Sequence, residues 1–322
     1  MSSDWRIPPG IQPRPQDYDF DLERSLASVL GLSASIPADA FTAETLGRER
    51  AGHAVLIRDD GIALTIGYLV TEASSLWLTT QDGRVVPATV LGFDGETGFG
   101  LVQALGRLDM PALPLGDSSQ VAVGDEVVIA AAGGRRRSVA AQVVMKQEFA
   151  GYWEYVLDEA LFVAPSHPHW GGTALIGERG ELLGIGSLQL QQEESRHGSA
   201  VNMVVPIDLL KPILADMLRT GRAARPVRPW LGLFAAEING RVTIAGVIPG
   251  GPSEKAGLEA GDLVVGANGV APKSLAAFFR AVWKAGPAGT SVPLQLLRDG
   301  QPLEVEIAST DRALLLKRPV LH

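Results

Sequence analysis

From about residue 53 the chain breaks into short apolar runs separated by Asp-Gly pairs, and this punctuation constrains its fold more than any other feature. Ala54-Val55-Leu56-Ile57 and Leu76-Trp77-Leu78-Thr79 are such runs, and Asp60-Gly61, Asp82-Gly83 and Asp94-Gly95 are the punctuation. Both residues of an Asp-Gly pair tolerate positive φ, so the pair suits a tight hairpin between antiparallel strands. Three such pairs close together predict an antiparallel β domain of barrel or sandwich type.

Further short strands are predicted at Val127–Ala131, Ala140–Met145, Leu161–Ala164, Thr173–Ile176 and Leu182–Ile185. A helix is predicted over Leu209–Thr220, with Asp208 as its cap, Pro212 tolerated in its first turn and Gly221 as its stop. Ala223 to Pro229 then reads as a linker. A second unit follows, with strands at Trp230–Ala235, Val242–Ile248, Leu263–Val265, Val292–Leu297 and Leu303–Ile307. Its main helix runs over Leu275–Ala285, capped by Ser274 and stopped by Gly286-Pro287. At the front, the stretch to Gln16 is proline-rich and reads as an extended arm. In Asp17–Leu30 both helix and strand stay open, because Leu22, Leu26 and Leu30 recur at helical spacing before strand-like sequence.

Composition narrows the function classes. A formal net charge of −8 opposes non-specific attraction to nucleic acid or anionic membranes. No segment has the uninterrupted apolar length of a membrane span. The absence of cysteine excludes disulfides and thiolate metal sites. Residues 1–9 show no basic stretch followed by an apolar run, so a cytoplasmic location is the expectation, if residue 1 is the native start.

Several segments in the right order resemble the HtrA/DegP family. Leu113-Pro114-Leu115-Gly116-Asp117-Ser118 with Val123-Gly124-Asp125-Glu126-Val127-Val128 resembles the stretch joining that family's two barrels. Gly171-Gly172 with Gly180-Glu181-Leu182-Leu183-Gly184-Ile185 resembles the strand pair after its catalytic serine. Val204-Val205-Pro206-Ile207 is similar to the exit from its second barrel. In the second unit, Val247 to Asp262 is similar to the central signature of bacterial PDZ domains, with Asn268-Gly269 as the following turn. The resemblance implies a mainly β chain: a trypsin-like double β-barrel, a linker helix and a small α+β PDZ domain. The boundaries so implied are an arm with a first strand or helix at 1–45, the double barrel at 46–210, a linker at 211–228, the PDZ domain at 229–310 and a tail at 311–322.

The same resemblance locates the positions where a serine protease needs a nucleophilic hydroxyl, an imidazole, a carboxylate and two oxyanion-binding N–H groups. The histidine motif matches Thr65-Ile66-Gly67-Tyr68-Leu69-Val70, which puts Tyr68 at the base. The aspartate motif matches Thr97-Gly98-Phe99-Gly100-Leu101-Val102, which puts Gly98 at the orienting acid. The serine motif matches Ser166-His167-Pro168-His169-Trp170-Gly171-Gly172-Thr173, with Trp170 at the nucleophile and Pro168 at an oxyanion donor. A phenol with pKa near ~10 is a poor base at neutral pH. Indole is no nucleophile, glycine has no carboxylate and proline has no N–H. The catalytic set is therefore degenerate by resemblance, and Tyr68 and Trp170, both large, are expected to pack together and fill the cleft.

A relocated site is the alternative: a serine-type or metal-assisted hydrolase built on His167 and His169, with Ser166 or with Glu154, Asp158 and Glu159 upstream. His-x-His on a strand puts both rings on one face and can hold zinc. Pro168 between them and their loop position favour the plainer reading, polar loop residues. His53 and His197 read as surface or turn residues, and Tyr152, Trp153 and Tyr155 as packing for the second barrel. No cofactor is implied.

PDZ domains bind an extended peptide as an added strand and hold its terminal carboxylate on backbone amides of a glycine-containing loop. Here that loop matches Pro229 to Leu233, with Trp230, Leu231, Gly232 and Leu233 as candidate peptide-binding residues. Phe278, Phe279 and Val282 of the helix are candidates for the apolar pocket, although core packing is the competing reading for all of them. The implied function is a non-catalytic scaffold or chaperone-like factor that binds protein or peptide C-termini. An oligomer is expected only because family members often form trimers.

Overall fold

The computed structural model describes residues 5–191 and 200–317, so His197 lies outside the described residues. The chain divides into two compact units. The first comprises residues 1–147, 159–224 and 317–322, and the second comprises residues 148–158 and 225–316.

The first unit holds two closed six-stranded barrels. α1 (Leu22–Ala27) leads into β1 (Val29–Ser35), which resolves the ambiguous stretch into a short helix and then a strand. Asp21 caps α1 by accepting the Arg24 N–H, and Leu22 and Leu26 are buried. α2 (Ala43–Leu46) precedes β2 (Glu49–Leu56), β3 (Ile62–Ile66), β4 (Ser75–Thr79), β5 (Val85–Phe93) and β6 (Phe99–Ala104). These strands close in the order β1-β2-β3-β6-β5-β4, which leaves no edge to pair with other chains. Gly61 and Gly83 take positive φ in the turns β2–β3 and β4–β5, as Asp-Gly predicts. In the third turn the positive φ falls on Gly98 instead of Gly95, because Asp94 accepts the Thr97 N–H and hydroxyl and pulls the bend forward.

The second barrel contains β7 (Glu126–Ala130), β8 (Val139–Gly151), β9 (Tyr155–Ala164), β10 (Ala174–Ile176), β11 (Leu182–Gln191) and β12 (Ala200–Pro206), ordered β10-β11-β12-β9-β8-β7. Its core is built from Val127, Ile129, Val139, Val143, Leu161, Val163, Leu175 and Val204. The N-terminal arm is not free of this core: Ile7 is buried in it and donates its N–H to the Arg136 carbonyl. β8 and β9 run well beyond their predicted lengths, and their outer ends, residues 148–158, belong to the second unit. After β12 the predicted long helix is two pieces, a 3-10 turn Ile207–Leu209 and α3 (Leu214–Thr220). Asp208 does not cap α3; its carboxylate accepts the Ser118 hydroxyl and the Ser119 N–H. The residue before a proline disfavours helical φ/ψ, so regular helix starts only past Pro212. Gly221 ends α3 in the left-handed conformation, as expected.

The second unit is a five-stranded sheet of β13 (Leu233–Ile238), β14 (Arg241–Val247), β15 (Leu263–Ala267), β16 (Ser291–Arg298) and β17 (Gln301–Ala308), in sequential order. α4 (Pro252–Lys255) follows β14, and α5 (Leu275–Trp283) follows β15. Ser274 caps α5 by accepting the Ala277 N–H at 3.1 Å, a contact that stabilises such a helix by about 1 kcal/mol. One face of α5 packs Leu275, Phe278, Phe279 and Val282 into the core with Leu233, Ile244, Leu294 and Ile307. Arg298 bridges the buried Asp262 and Glu259, tying β16 to the turn before β15.

Candidate functional site

Tyr68 sits on a 3-10 turn, Gly67–Leu69, that follows β3. The turn is held from below by Arg50, whose guanidinium donates to the carbonyls of Tyr68 (2.7 Å), Thr71 (3.0 Å), Thr42 (3.2 Å) and Gly47 (3.1 Å). It also donates to the Thr42 hydroxyl at 2.8 Å. The Glu72 carboxylate accepts the Phe41 and Thr42 N–H groups, the Thr42 hydroxyl and the Lys317 N–H. Every donor of this nearly buried cation meets a fixed acceptor, so the turn presents Tyr68 rigidly. Burial pulls the Arg50 guanidinium below its usual pKa, against the attraction of Glu72.

The phenol of Tyr68 donates to the Ser187 carbonyl at 2.9 Å, and its oxygen lies beside Gly171, 2.7 Å from where a Cβ on that residue would stand. Burial raises the phenol's pKa far above its ordinary value. Tyr68 is therefore a protonated hydrogen-bond donor and no base. Gly98 abuts the same turn: its carbonyl accepts the Gly67 N–H at 2.6 Å, and its own φ is 83°. The fold thus sets the Tyr68 turn against Gly98 and its phenol against the loop that carries Trp170, with no carboxylate at position 98 and no imidazole at position 68.

The loop carrying Trp170 is pinned against β2. The Gly171 carbonyl accepts the His53 N–H at 2.9 Å, and a Cβ on Gly172 would collide with the His53 carbonyl, so position 172 accepts only glycine. Thr173 donates its N–H and its hydroxyl to the Trp170 carbonyl. Pro168 offers no N–H. The next amide, that of His169, donates to Nδ1 of His167 at 3.0 Å.

His167 is fully buried and each polar atom is engaged. Its N–H donates to Asn202 Oδ1 at 2.6 Å, and with Nδ1 accepting from His169, the ring proton must sit on Nε2 and point to the Arg137 carbonyl 2.8 Å away. Burial holds its pKa down to about 4. His169 is lowered as well, mainly by burial, and Trp5 packs edge-on against both rings. His53 is not the surface or turn residue that the sequence suggests but a buried residue of β2. Its Nδ1 accepts the Ala132 N–H at 3.2 Å, and burial followed by the nearby His167 lowers its pKa to about 3.

The relocated site does not assemble. Ser166 Oγ accepts from Gln189 Nε2 at 3.0 Å. Asp158 pairs with Arg280, and Glu159 with Lys146. Among the described residues, no group of three or more His, Asp or Glu gathers as metal ligands.

In the second unit, the N–H groups of Leu231, Gly232 and Leu233 do converge on a carboxylate, and it is that of Glu154. The distances are 2.9 and 3.3 Å from Leu231, 2.8 Å from Gly232 and 3.3 Å from Leu233. Gly232 turns the chain with φ 73°. Trp230 braces the loop by exchanging backbone hydrogen bonds with Thr310. Burial raises Glu154 to about 7, opposed by the amides of Leu231, Leu233 and Gly232. Leu231, Leu233, Phe278, Phe279 and Val282 are all buried in the core of this unit, so neither phenylalanine faces an open groove. Tyr152, Trp153 and Tyr155 do not pack the second barrel: they lie in this unit, where Tyr152 meets Phe234 and Trp153 stacks on Tyr155. Sequence reasoning misses this role of Glu154, which in the sequence stands only as an acid upstream of the histidines.

Comparison with known proteins agrees with this architecture. A trypsin-like peptidase domain model matches residues 52–185 and a PDZ domain model matches residues 229–308. The periplasmic serine endoprotease DegP of Escherichia coli K12 is 27% identical over 80% of this chain, and the chain spans 56% of that relative's length. The serine protease Do-like HtrA of Bacillus subtilis is 24% identical, over 90% of this chain and 71% of its own. A solved structure of the HtrA-type protease AlgW with a decapeptide covers 93% of this chain and 98% of its own at TM-score 0.55 and 19% identity, which speaks to the fold. The DegP and DegQ relatives are named as periplasmic, so they lend no support to a cytoplasmic location. Among the described residues, no helix is long and apolar enough to cross a membrane. The chain is a homologue of the HtrA/DegP-type proteases, a trypsin-like peptidase domain followed by a PDZ domain.

Proposed function

We propose that this chain is a non-cleaving homologue of its class that acts by binding extended protein or peptide C-termini through its PDZ unit, as a scaffold or chaperone-like factor. The observation that carries the first half is the buried Tyr68 phenol, donating to the Ser187 carbonyl at the position matched to the base, with Trp170 at the position matched to the nucleophile. A protonated phenol and an indole cannot generate an alkoxide, and Pro168 removes one of the two N–H groups that stabilise the tetrahedral intermediate. The second half is supported by three converging N–H groups that already hold a carboxylate, and by the decapeptide in the AlgW structure.

A hydrolase relocated to His167 and His169 is disfavoured, because His167 has no free ring nitrogen and Ser166 is not bonded to either imidazole. The reading is tested by incubating the pure protein with casein and with a fluorophosphonate probe. Neither cleavage nor labelling is expected. Casein turnover that disappears in a Trp170→Ala or His167→Ala variant overturns it.

A further inference from the structure

The carboxylate loop of the PDZ unit is occupied by a segment of the same unit. The tip between β8 and β9 enters with Tyr152 and Glu154. The Tyr152 carbonyl accepts the Ala235 N–H at 2.9 Å, and the Glu154 carboxylate lies on the N–H groups of residues 231–233. As the tip advances from 152 to 154 it moves back along the partner strand from 235 to 231. It therefore runs antiparallel to β13 with its carboxylate toward the loop. β13 is a terminal strand of its sheet, the kind of edge to which an extended peptide can add.

The rest of the tip is fastened in the same way. Val156 belongs to the unit's core, and Ala150 packs against it. Arg280, on α5, pairs with Glu148 Oε2 and Asp158 Oδ1, each at 2.5 Å, and so clamps both strands at the base. Glu154 itself adopts a φ of 61°, unusual for a residue with a side chain, and this conformation aims its carboxylate at the loop.

We propose that residues 148–158 are a resident ligand of the PDZ groove, in which the Glu154 side-chain carboxylate stands in for a peptide's terminal carboxylate, and that an external C-terminus binds only by displacing this tip. The proposal rests on the reading of the groove as a peptide site. A tethered ligand competes at an effective concentration on the order of mM. If the tip's own affinity is about 10–100 μM, an incoming peptide binds roughly 10–100-fold more weakly than to an empty groove.

The test uses the full chain and a fluorescein-labelled peptide copying residues 146–153, ending in a free carboxylate at Trp153, with its C-terminal amide as control. Wild type, Glu154→Gln, Glu154→Ala and Arg280→Ala are titrated by fluorescence anisotropy. Amide exchange at residues 231–233 is followed by mass spectrometry in the same proteins. Protection of these amides in wild type, its loss in Glu154→Ala, and at least ten-fold tighter binding of the free-carboxylate peptide to that variant are expected. Glu154→Gln and Arg280→Ala keep part of the tip contact and are expected to bind with intermediate affinity.

Equal affinity for wild type and Glu154→Ala overturns the proposal while leaving peptide binding intact, and so do unprotected amides in wild type. If the amides behave as expected but no variant binds the peptide at millimolar concentration, the tip is a fixed structural partner. That result removes both the displacement and the peptide-binding reading beneath it.

Discussion

The two buried histidines give the first barrel strand and the Trp170 loop a shared acid sensitivity. His53 and His167 lie 6.2 Å apart between ring centroids, are both buried, and are held neutral with pKa values near 3 and 4. A histidine whose folded pKa is depressed leaves the unfolded state binding more protons, so its stabilising contribution is whole above ~6.5 and drains away as the pH falls toward the folded value. Each pH unit within that window costs about 1.36 kcal/mol per group, so each histidine costs about 2 kcal/mol at pH 5. Glu154, raised to about 7 by burial, works in the opposite sense: it takes up a proton on folding and stabilises the second unit as the pH falls through the same range. The whole-chain slope therefore mixes two signs, and a difference is needed. Urea unfolding at pH 7 and pH 5 is compared for wild type, His167→Asn and His53→Gln. Wild type is expected to lose about 2 kcal/mol more over that interval than either variant, at an unchanged m-value. The two effects should not add fully, since a charge on one ring opposes a charge on the other. Histidine ring NMR supplies the direct check. His167 is expected as the Nε2–H tautomer down to pH 5, and either ring titrating near 6.5 in the folded protein, or equal slopes in wild type and variants, refutes the reasoning.

Two further outcomes follow from the cleft. Restoring the three side chains with Tyr68→His, Gly98→Asp and Trp170→Ser is expected to leave casein uncut. Pro168 still lacks an N–H and the His169 amide still serves His167; any steady cleavage by the triple variant contradicts this. Within that set, Gly98→Asp alone should lower stability by about 1–2 kcal/mol in a thermal melt, because φ at this position is 83°. Replacing Arg50 with Met should orphan the carbonyls of Tyr68, Thr71 and Thr42 together, costing about 3 kcal/mol or more in urea unfolding and broadening the near-UV signal of the aromatic residues.

The elements that local chemistry dictates are legible in the sequence. Asp-Gly pairs announce the hairpins of the first barrel, Ser274 announces the start of α5, and the run from Val247 to Asp262 announces the PDZ unit. Legibility ends where a distant partner intervenes. Asp208 has the composition and position of a helix cap, yet its carboxylate is drawn to Ser118 and Ser119, ninety residues upstream for the hydroxyl contact, and the helix starts later. His53 carries no local sign of the Ala132 amide or of the glycine loop that buries it. Glu154 is the clearest instance. Its neighbours in sequence are aromatic and suggest simple packing, while its ligands lie at residues 231–233, and no periodicity links the two. The triad positions themselves are located by family likeness, but the bond from the Tyr68 phenol to the Ser187 carbonyl is a tertiary fact.

The Trp170 loop, matched to the oxyanion site of the serine proteases, and the PDZ loop at Leu231–Leu233 differ in the fate of their backbone amides. At the Trp170 loop one donor is replaced by Pro168 and the neighbouring His169 amide is fastened to the buried His167, so restoring the lost N–H there requires changing the loop around a buried ring. At Leu231–Leu233 all three N–H groups remain, point to one spot and hold a carboxylate through a tethered tip. Removing that carboxylate requires that the tip give up its hydrogen bonds, the packing of Val156 and Ala150 and the Arg280 clamp, while the sheet behind it stays paired. Amide donors that must be rebuilt cannot serve a ligand that comes and goes; donors that exchange one carboxylate for another can. The proposed peptide binding therefore falls to the PDZ loop, and Glu154→Ala should change that binding while Trp170→Ala leaves it unchanged.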